Sequence, residues 1–152
     1  MGKYIYMTNY KGKFNPSNPN KYKGDVDNII WRSTWELRVM KQLDENPNVI
    51  EWSSEEVAIP YISPEDGRYH RYFPDFIVKV KNKEGKIETM MLEVKPYHQT
   101  QEPKVQKKKT KKYINEVVTW GKNSQKWKAA REYCEDRGWS FKLITEKELG
   151  IR

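Results

Sequence analysis

The chain has 152 residues, of which 36% are apolar, 33% charged and 13% aromatic, and its 29 Lys and Arg exceed its 21 Asp and Glu for a net charge of +8. That length suits one domain with its own core, and the aromatic share excludes a disordered chain. A single cysteine, Cys134, excludes a disulfide framework or a cysteine-rich zinc site. No run approaches the roughly eighteen apolar residues of a membrane span, and no signal-peptide segment opens the chain, so a basic intracellular α/β or α+β domain is expected, away from membranes.

The charge is segregated. Residues 1–76 hold ten basic and eleven acidic side chains, whereas residues 77–152 hold nineteen and ten. The excess peaks in a nine-residue stretch with six lysines and no acid: Lys104, Lys107, Lys108, Lys109, Lys111 and Lys112. Such a patch suits a polyanion, nucleic acid first. A solvated helix face would carry the same residues, and an interfacial membrane helix would need a bulky apolar face that this run lacks.

In chain order, residues 1–30 read as an arm, with Gly, Asn, Pro and Ser punctuating 11–24 without periodicity. Ser33-Thr-Trp-Glu36 is a capping box, opening a helix that carries Trp35, Leu37, Val39, Met40 and Leu43 and closes at Pro47. Strand-like runs at about 49–61, interrupted by the polar Ser53-Ser54-Glu55-Glu56, then 69–80 and 86–95, joined by Gly-containing turns, predict an antiparallel meander. Beyond Pro103 the apolar stripe of Tyr113, Ile114, Val117 and Val118 predicts one helix. Asn123 or Ser124 is positioned to cap a second, with Trp127, Ala130, Tyr133 and Cys134 inward and Gly138 at its end. Residues 139–144 alternate as a last strand, and Thr145-Glu-Lys-Glu148 caps a short helix.

Two strands concentrate the chemistry. Asp75 interrupts the largely apolar Tyr72-Phe-Pro-Asp-Phe-Ile-Val78. On the next strand Glu93 and Lys95 share a face, roughly 7 Å apart. A short hairpin places Asp75 beside them. Two carboxylates can hold Mg²⁺ for phosphodiester hydrolysis, with a neighbouring lysine to orient the water. A cross-strand ion pair on a wet sheet face accounts for the same residues. Glu84-Gly-Lys86 repeats the acid-lysine spacing but falls in a turn. Glu36 completes the capping box, a role that explains it without catalysis. His70 and His98 lack partners at metal-ligand spacing, Cys134 reads as core, and Tyr97–Gln101 reads either as a DNA contact or as an ordinary polar loop.

Several stretches together carry a resemblance: Phe14–Gly24, Arg32-Ser-Thr-Trp-Glu36, Ile50-Glu-Trp-Ser-Ser-Glu55, Arg71-Tyr-Phe-Pro-Asp-Phe76, Glu93-Val-Lys-Pro-Tyr97, Lys126–Cys134 and Thr145–Leu149. They resemble the PD-(D/E)xK nuclease core. Within it they are most similar to the head-completion nucleases of large contractile-tailed, T4-like phages, themselves similar to the nuclease subunit of Tn7-type transposases. The resemblance implies a restriction-endonuclease-like αβββαβ core over residues 31–152, a mixed central sheet flanked by helices. It implies Asp75 and Glu93 as metal-binding acids, the Val94 carbonyl completing the metal shell, Glu36 as a helix-borne acid of the site, and Lys95 as the catalytic lysine.

The implied cofactor is Mg²⁺, with Mn²⁺ substituting. The implied reaction is hydrolysis of double-stranded DNA, leaving 5′-phosphate and 3′-hydroxyl ends, during phage head completion and before head-tail joining. Endonuclease and exonuclease action both stay open. Arg71 and the lysine run are expected to hold backbone phosphates. Other head or neck proteins are expected partners, a homodimer would allow both strands to be cut, and the site of action is the host cytoplasm during assembly or the virion. Two rivals are a structural DNA-binding head-completion protein with a secondary nuclease site, and a transposase-type nuclease subunit.

Overall fold

Residues 11–151 are described here from a computed structural model. The chain after the arm enters helix α1, Thr34–Glu45, where the Ser33 hydroxyl accepts the Glu36 N–H at 3.1 Å. Strands β3 (Val49–Ser54), β6 (Phe76–Lys81), β7 (Ile87–Val94) and β8 (Ser140–Ile144) form a four-stranded sheet in the order β3-β6-β7-β8, numbered after the small antiparallel pair β1 (Gly12–Lys13) and β2 (Ile30–Trp31). β3, β6 and β7 run antiparallel and β8 runs parallel to β7. A parallel neighbour needs a long crossover, which helix α2 (Lys111–Arg137) supplies. The order of α1, three strands, α2 and β8 is the expected αβββαβ mixed sheet, followed by the short helix α3, Glu146–Leu149.

Two expectations need correction. The second strand run is not continuous, and the polar interruption of the first is a full break. The run from Val49 breaks at Glu55, which adopts a left-handed φ of 55°. The run from Tyr69 breaks at Phe73-Pro74-Asp75, where proline has no N–H for a ladder. The segments beyond the breaks, β4 (Ile59–Ile62) and β5 (Tyr69–Tyr72), pair only with each other. The two helices expected after Pro103 are also one, a 27-residue α2 capped by Thr110 and ended by Gly138 at φ 72°. Neither proposed internal cap acts as one: Ser124 Oγ donates back to the Trp120 carbonyl at 2.7 Å, and Asn123 is a buried mid-helix residue. A lone glycine at 121 costs only about 1 kcal/mol against alanine, too little to split a helix that is packed along its length.

Side-chain alternation gives the sheet two cores. Phe76, Val78, Leu92 and Val94 face α1, meeting Trp35, Val39, Met40 and Leu43. Met91 faces the other way, towards Trp127, Ala130 and Cys134 of α2 and Ile59, Tyr61 and Tyr72 of the β4–β5 ribbon. By the same alternation Glu93 and Lys95 lie on the α2 face.

The described part of the arm is built into the first core. Phe14 and Tyr22 meet Trp52 edge-on, with centroids at 5.8 and 4.8 Å. The Tyr22 hydroxyl accepts the Ser54 N–H at 3.1 Å and donates to Glu56 at 2.6 Å. Buried Asp44 accepts the backbone N–H groups of Ser17 and Asn18 at 2.8 and 3.0 Å. These contacts bring the arm alongside β3, where a parallel bridge joins Tyr22 to Trp52 and protects part of the exposed sheet edge. Residues 1–10 of the expected arm lie outside the described residues. No helix among the described residues is long and apolar enough to cross a membrane.

Candidate active site

The strand breaks create the site. The last paired rung across the sheet is Ser54–Phe76–Leu92. One residue further on, the three chains present Glu55, Asp75 and Glu93, and the Glu55 N–H still reaches the Asp75 carbonyl at 3.2 Å. Three acids therefore stand side by side at one end of the sheet. α1 adds a fourth. Its first turn carries Glu36 inward, where the carboxylate accepts the Arg32 N–H at 3.3 Å and the Ser33 hydroxyl at 3.3 Å. Carboxylate oxygens of Glu36, Glu55 and Asp75 all lie within 4.8 Å of one another. The capping geometry and the site geometry thus share one side chain: the Glu36 backbone serves the cap while its carboxylate joins the acids.

Asp75 and Glu93 are tied through the backbone. The Asp75 N–H donates to Glu93 at 3.3 Å, and the Val94 N–H donates to Asp75 at 2.7 Å. These bonds place the Val94 main chain against the acids, where the resemblance put a carbonyl ligand. Burial pushes the Asp75 carboxyl well above the usual range, and the charges of Glu93 and Glu36 push it further. Burial raises Glu93 as well, with Lys95 opposing. Glu36 is raised chiefly by burial and then by Glu55.

The oxygen-only donor set, crowded and desolvated, suits a hard divalent cation, whose charge relieves what raises these carboxyls. The Tyr72 hydroxyl adds a further polar group. It lies close enough to Glu93 to be pushed upward by that charge, after burial. It falls short of hydrogen-bond geometry, however, and stays buried without a partner among the described residues.

Two residues without an assigned sequence role join this site. Glu55 contributes a carboxylate, held by the Arg32 guanidinium at 3.1 and 2.9 Å. Lys126, half-buried on α2, places its ammonium 5.7 and 5.8 Å from the ring centres of Tyr61 and Tyr72. Burial lowers its pKa first, then the charge of Lys95, so the two lysines and Glu93 share one electrostatic environment. The available signals were slight: Glu55 lies in a polar run, Ser53–Glu56, inside a strand pattern, and Lys126 falls on the helix face of Asn123 and Ala130.

The expected DNA contacts lie elsewhere. Arg71 is exposed on β5 over the Phe73 ring. Lys104, Lys107, Lys108 and Lys109 occupy an exposed non-helical segment, and Lys111 and Lys112 form the first turn of α2. None of the seven has an ion pair with the acids of the site among the described residues. His70 pairs with Asp66 at 2.8 Å, and Cys134 is buried against Met91.

An αβββαβ sheet with acids and a lysine at one strand end defines a nuclease core of the restriction-endonuclease type. Comparison with known proteins agrees. The pattern described as TnsA-like endonuclease N terminal matches residues 46–146, and the chain is 40% identical over 144 residues to a protein named head completion nuclease from Enterobacteria phage T4, covering 92% of this chain and 93% of that one. The chain belongs to the TnsA-like endonuclease family. The matched segment contains Glu55, Asp75, Glu93, Lys95 and Lys126, and Glu36 lies ahead of it.

Proposed function

We propose that the protein is a divalent-metal-dependent deoxyribonuclease that acts in phage head completion, with its active site at Glu36, Asp75, Glu93 and Lys95. The observation that carries this reading is the convergence of α1, β3, β6 and β7 on one acid cluster, with Lys95 on the strand face it shares with Glu93. Asp75, Glu93, the Val94 carbonyl and Glu36 would hold Mg²⁺ or Mn²⁺. The ion would supply charge neutralisation at the phosphoryl oxygen and a more acidic water. Lys95 orients the attacking water. In-line displacement then leaves 5′-phosphate and 3′-hydroxyl ends without a covalent enzyme intermediate.

Family membership and the head-completion name of the T4 relative support action on DNA while a phage head is finished, in the host cytoplasm or in the virion. Other head proteins would be its partners. Arg71 and the lysines of 104–112 would hold backbone phosphates with little sequence preference.

The test is cleavage of supercoiled and linear duplex DNA with Mg²⁺, Mn²⁺ or EDTA, comparing the protein with Lys95→Ala. Metal-dependent cutting lost in the variant supports both activity and site, and nicking of the supercoil assigns endonuclease action. DNA binding without cutting under either metal overturns the reading in favour of an assembly role.

A further inference from the structure

Beyond the acid cluster, a groove of about 580 Å³ runs between the turn at Tyr97–Thr100 and the N-terminal half of α2, with His98, Gln101, Lys111, Lys112, Trp120 and Asn123 among its walls. We propose that this groove receives an unpaired stretch of a DNA strand next to the cleavage site. The inference rests on the DNA substrate proposed above and names the form of DNA that the site engages.

Asn123 carries the argument. It is only 6% exposed, it lines the groove, and its side-chain amide makes no hydrogen bond among the described residues. Its amide atoms open onto the groove without a protein partner, and a ligand that presents both donors and acceptors would satisfy them. Base edges do so, and the amides of Gln99, Gln101 and Asn115 line the same space. Trp120 offers an aromatic surface there, the usual platform for an unstacked base.

The electrostatics select a polyanion. α2 opens with Lys111 and Lys112 and has no acid in its first turn. That reverses the charge preference of a helix N-terminus, and on the groove walls the two lysines outnumber the one acid, Glu116, which lies 4.0 Å from Lys112. The exposed lysines at 104–109 extend the positive mouth.

Position ties the groove to the proposed chemistry. His98 follows Lys95 by three residues, and Asn123 precedes Lys126 by one helical turn. A base paired within a duplex keeps both faces stacked and cannot lie against Trp120, so the occupant is a frayed or single-stranded segment.

The test is fluorescence anisotropy in EDTA, where metal-dependent cleavage cannot proceed, using a blunt duplex and the same duplex with an unpaired end. The comparison sets the protein beside Trp120→Leu and, independently, beside a His98→Ala/Gln101→Ala double variant on the exposed turn, which leaves α2 untouched. The expected result is a preference for the unpaired end of at least about five-fold, the low end of base stacking on one aromatic, lost in both variants while blunt-duplex affinity is kept. Equal affinity of the unaltered protein for both DNAs overturns the inference alone and leaves the groove to a protein ligand. A preference that survives in both variants also overturns it. Failure to bind either DNA overturns the substrate reading together with it, whereas a preference seen without any cleavage activity still supports the groove.

Discussion

Asp75 and Glu93 hold each other in place through the main chain: the Asp75 N–H donates to Glu93 Oε1 at 3.3 Å, and the Val94 N–H donates to Asp75 Oδ2 at 2.7 Å. Each carboxylate is thus an acceptor that an amide can replace in shape. Asp75→Asn and Glu93→Gln are expected to fold and to lose at least about 100-fold in cleavage, since charge at the reacting centre is the property removed. Circular-dichroism melts beside supercoil-nicking rates check both halves of this expectation.

The pH dependence of stability follows from the same crowding. Folded-state pKa values of Glu36, Asp75 and Glu93 are raised above ordinary carboxyl values. Between the ordinary range and the raised values, the native state binds more protons than the unfolded chain. Stability from these groups is therefore full below the ordinary carboxyl range and is lost as pH rises through the raised values. In EDTA, Asp75→Asn is expected to gain melting temperature over the unaltered protein increasingly as pH rises, and Mg²⁺ is expected to stabilise the unaltered protein more at high pH than at low. Melting curves across pH, with and without the ion, measure this. A gain that shrinks with rising pH would contradict the placement of the charges.

Glu55 separates backbone strain from charge. At φ 55° it sits where glycine is at ease. Its pairing with a largely exposed Arg32 contributes only about 0–1 kcal/mol. Glu55→Gly is expected to melt within a few degrees of the unaltered protein yet to bind Mn²⁺ more weakly, while Glu55→Gln keeps the strain and loses the charge. Calorimetric titration of Mn²⁺ into both variants, where affinity falls in parallel despite different stabilities, identifies the carboxylate as the working part.

Lys126 and Lys95 differ in kind. Lys95→Ala is expected to abolish cutting. Lys126→Met keeps the stem that packs over Tyr61 and Tyr72 and removes only the ammonium. It is expected to slow cutting roughly ten- to a hundred-fold, the scale for groups that orient a site from outside it. Single-turnover rates distinguish the two, and equal rates for Lys126→Met and the unaltered protein would remove Lys126 from the site.

The reading of the sequence reached most of the site through strand alternation, which places Glu93 and Lys95 on one face and brings Asp75 near by a hairpin. It did not reach Glu55, because that acid arises from a left-handed residue that continues the rung after ladder pairing has ended. Alternation has no term for such a break. The division of the 69–80 run was hidden because apolar residues continue across Pro74, whereas the 49–61 run parts at its polar Ser53–Glu56 stretch; in both, the two segments join different sheets. The sequence divides helix α2 because Asn123 and Ser124 look like caps of a second helix. Packing of Trp127, Ala130 and Cys134 against the sheet outweighs those local preferences. The two roles of Glu36 are compatible in three dimensions, since its N–H bonds the Ser33 hydroxyl while its carboxylate, also touching that hydroxyl, lies among the acids.

The unbroken course of α2 also makes it a ruler. Lys111 and Lys126 stand fifteen residues apart on one rigid rod, about 22 Å along its axis, or roughly six base pairs of duplex. Two helices joined by a loop would let that span stretch and shrink. One helix sets it once, so a strand held at the lysine-rich end as proposed would meet the acid cluster at a constant offset, and the length of the shortest DNA held at both points would be written into the helix itself.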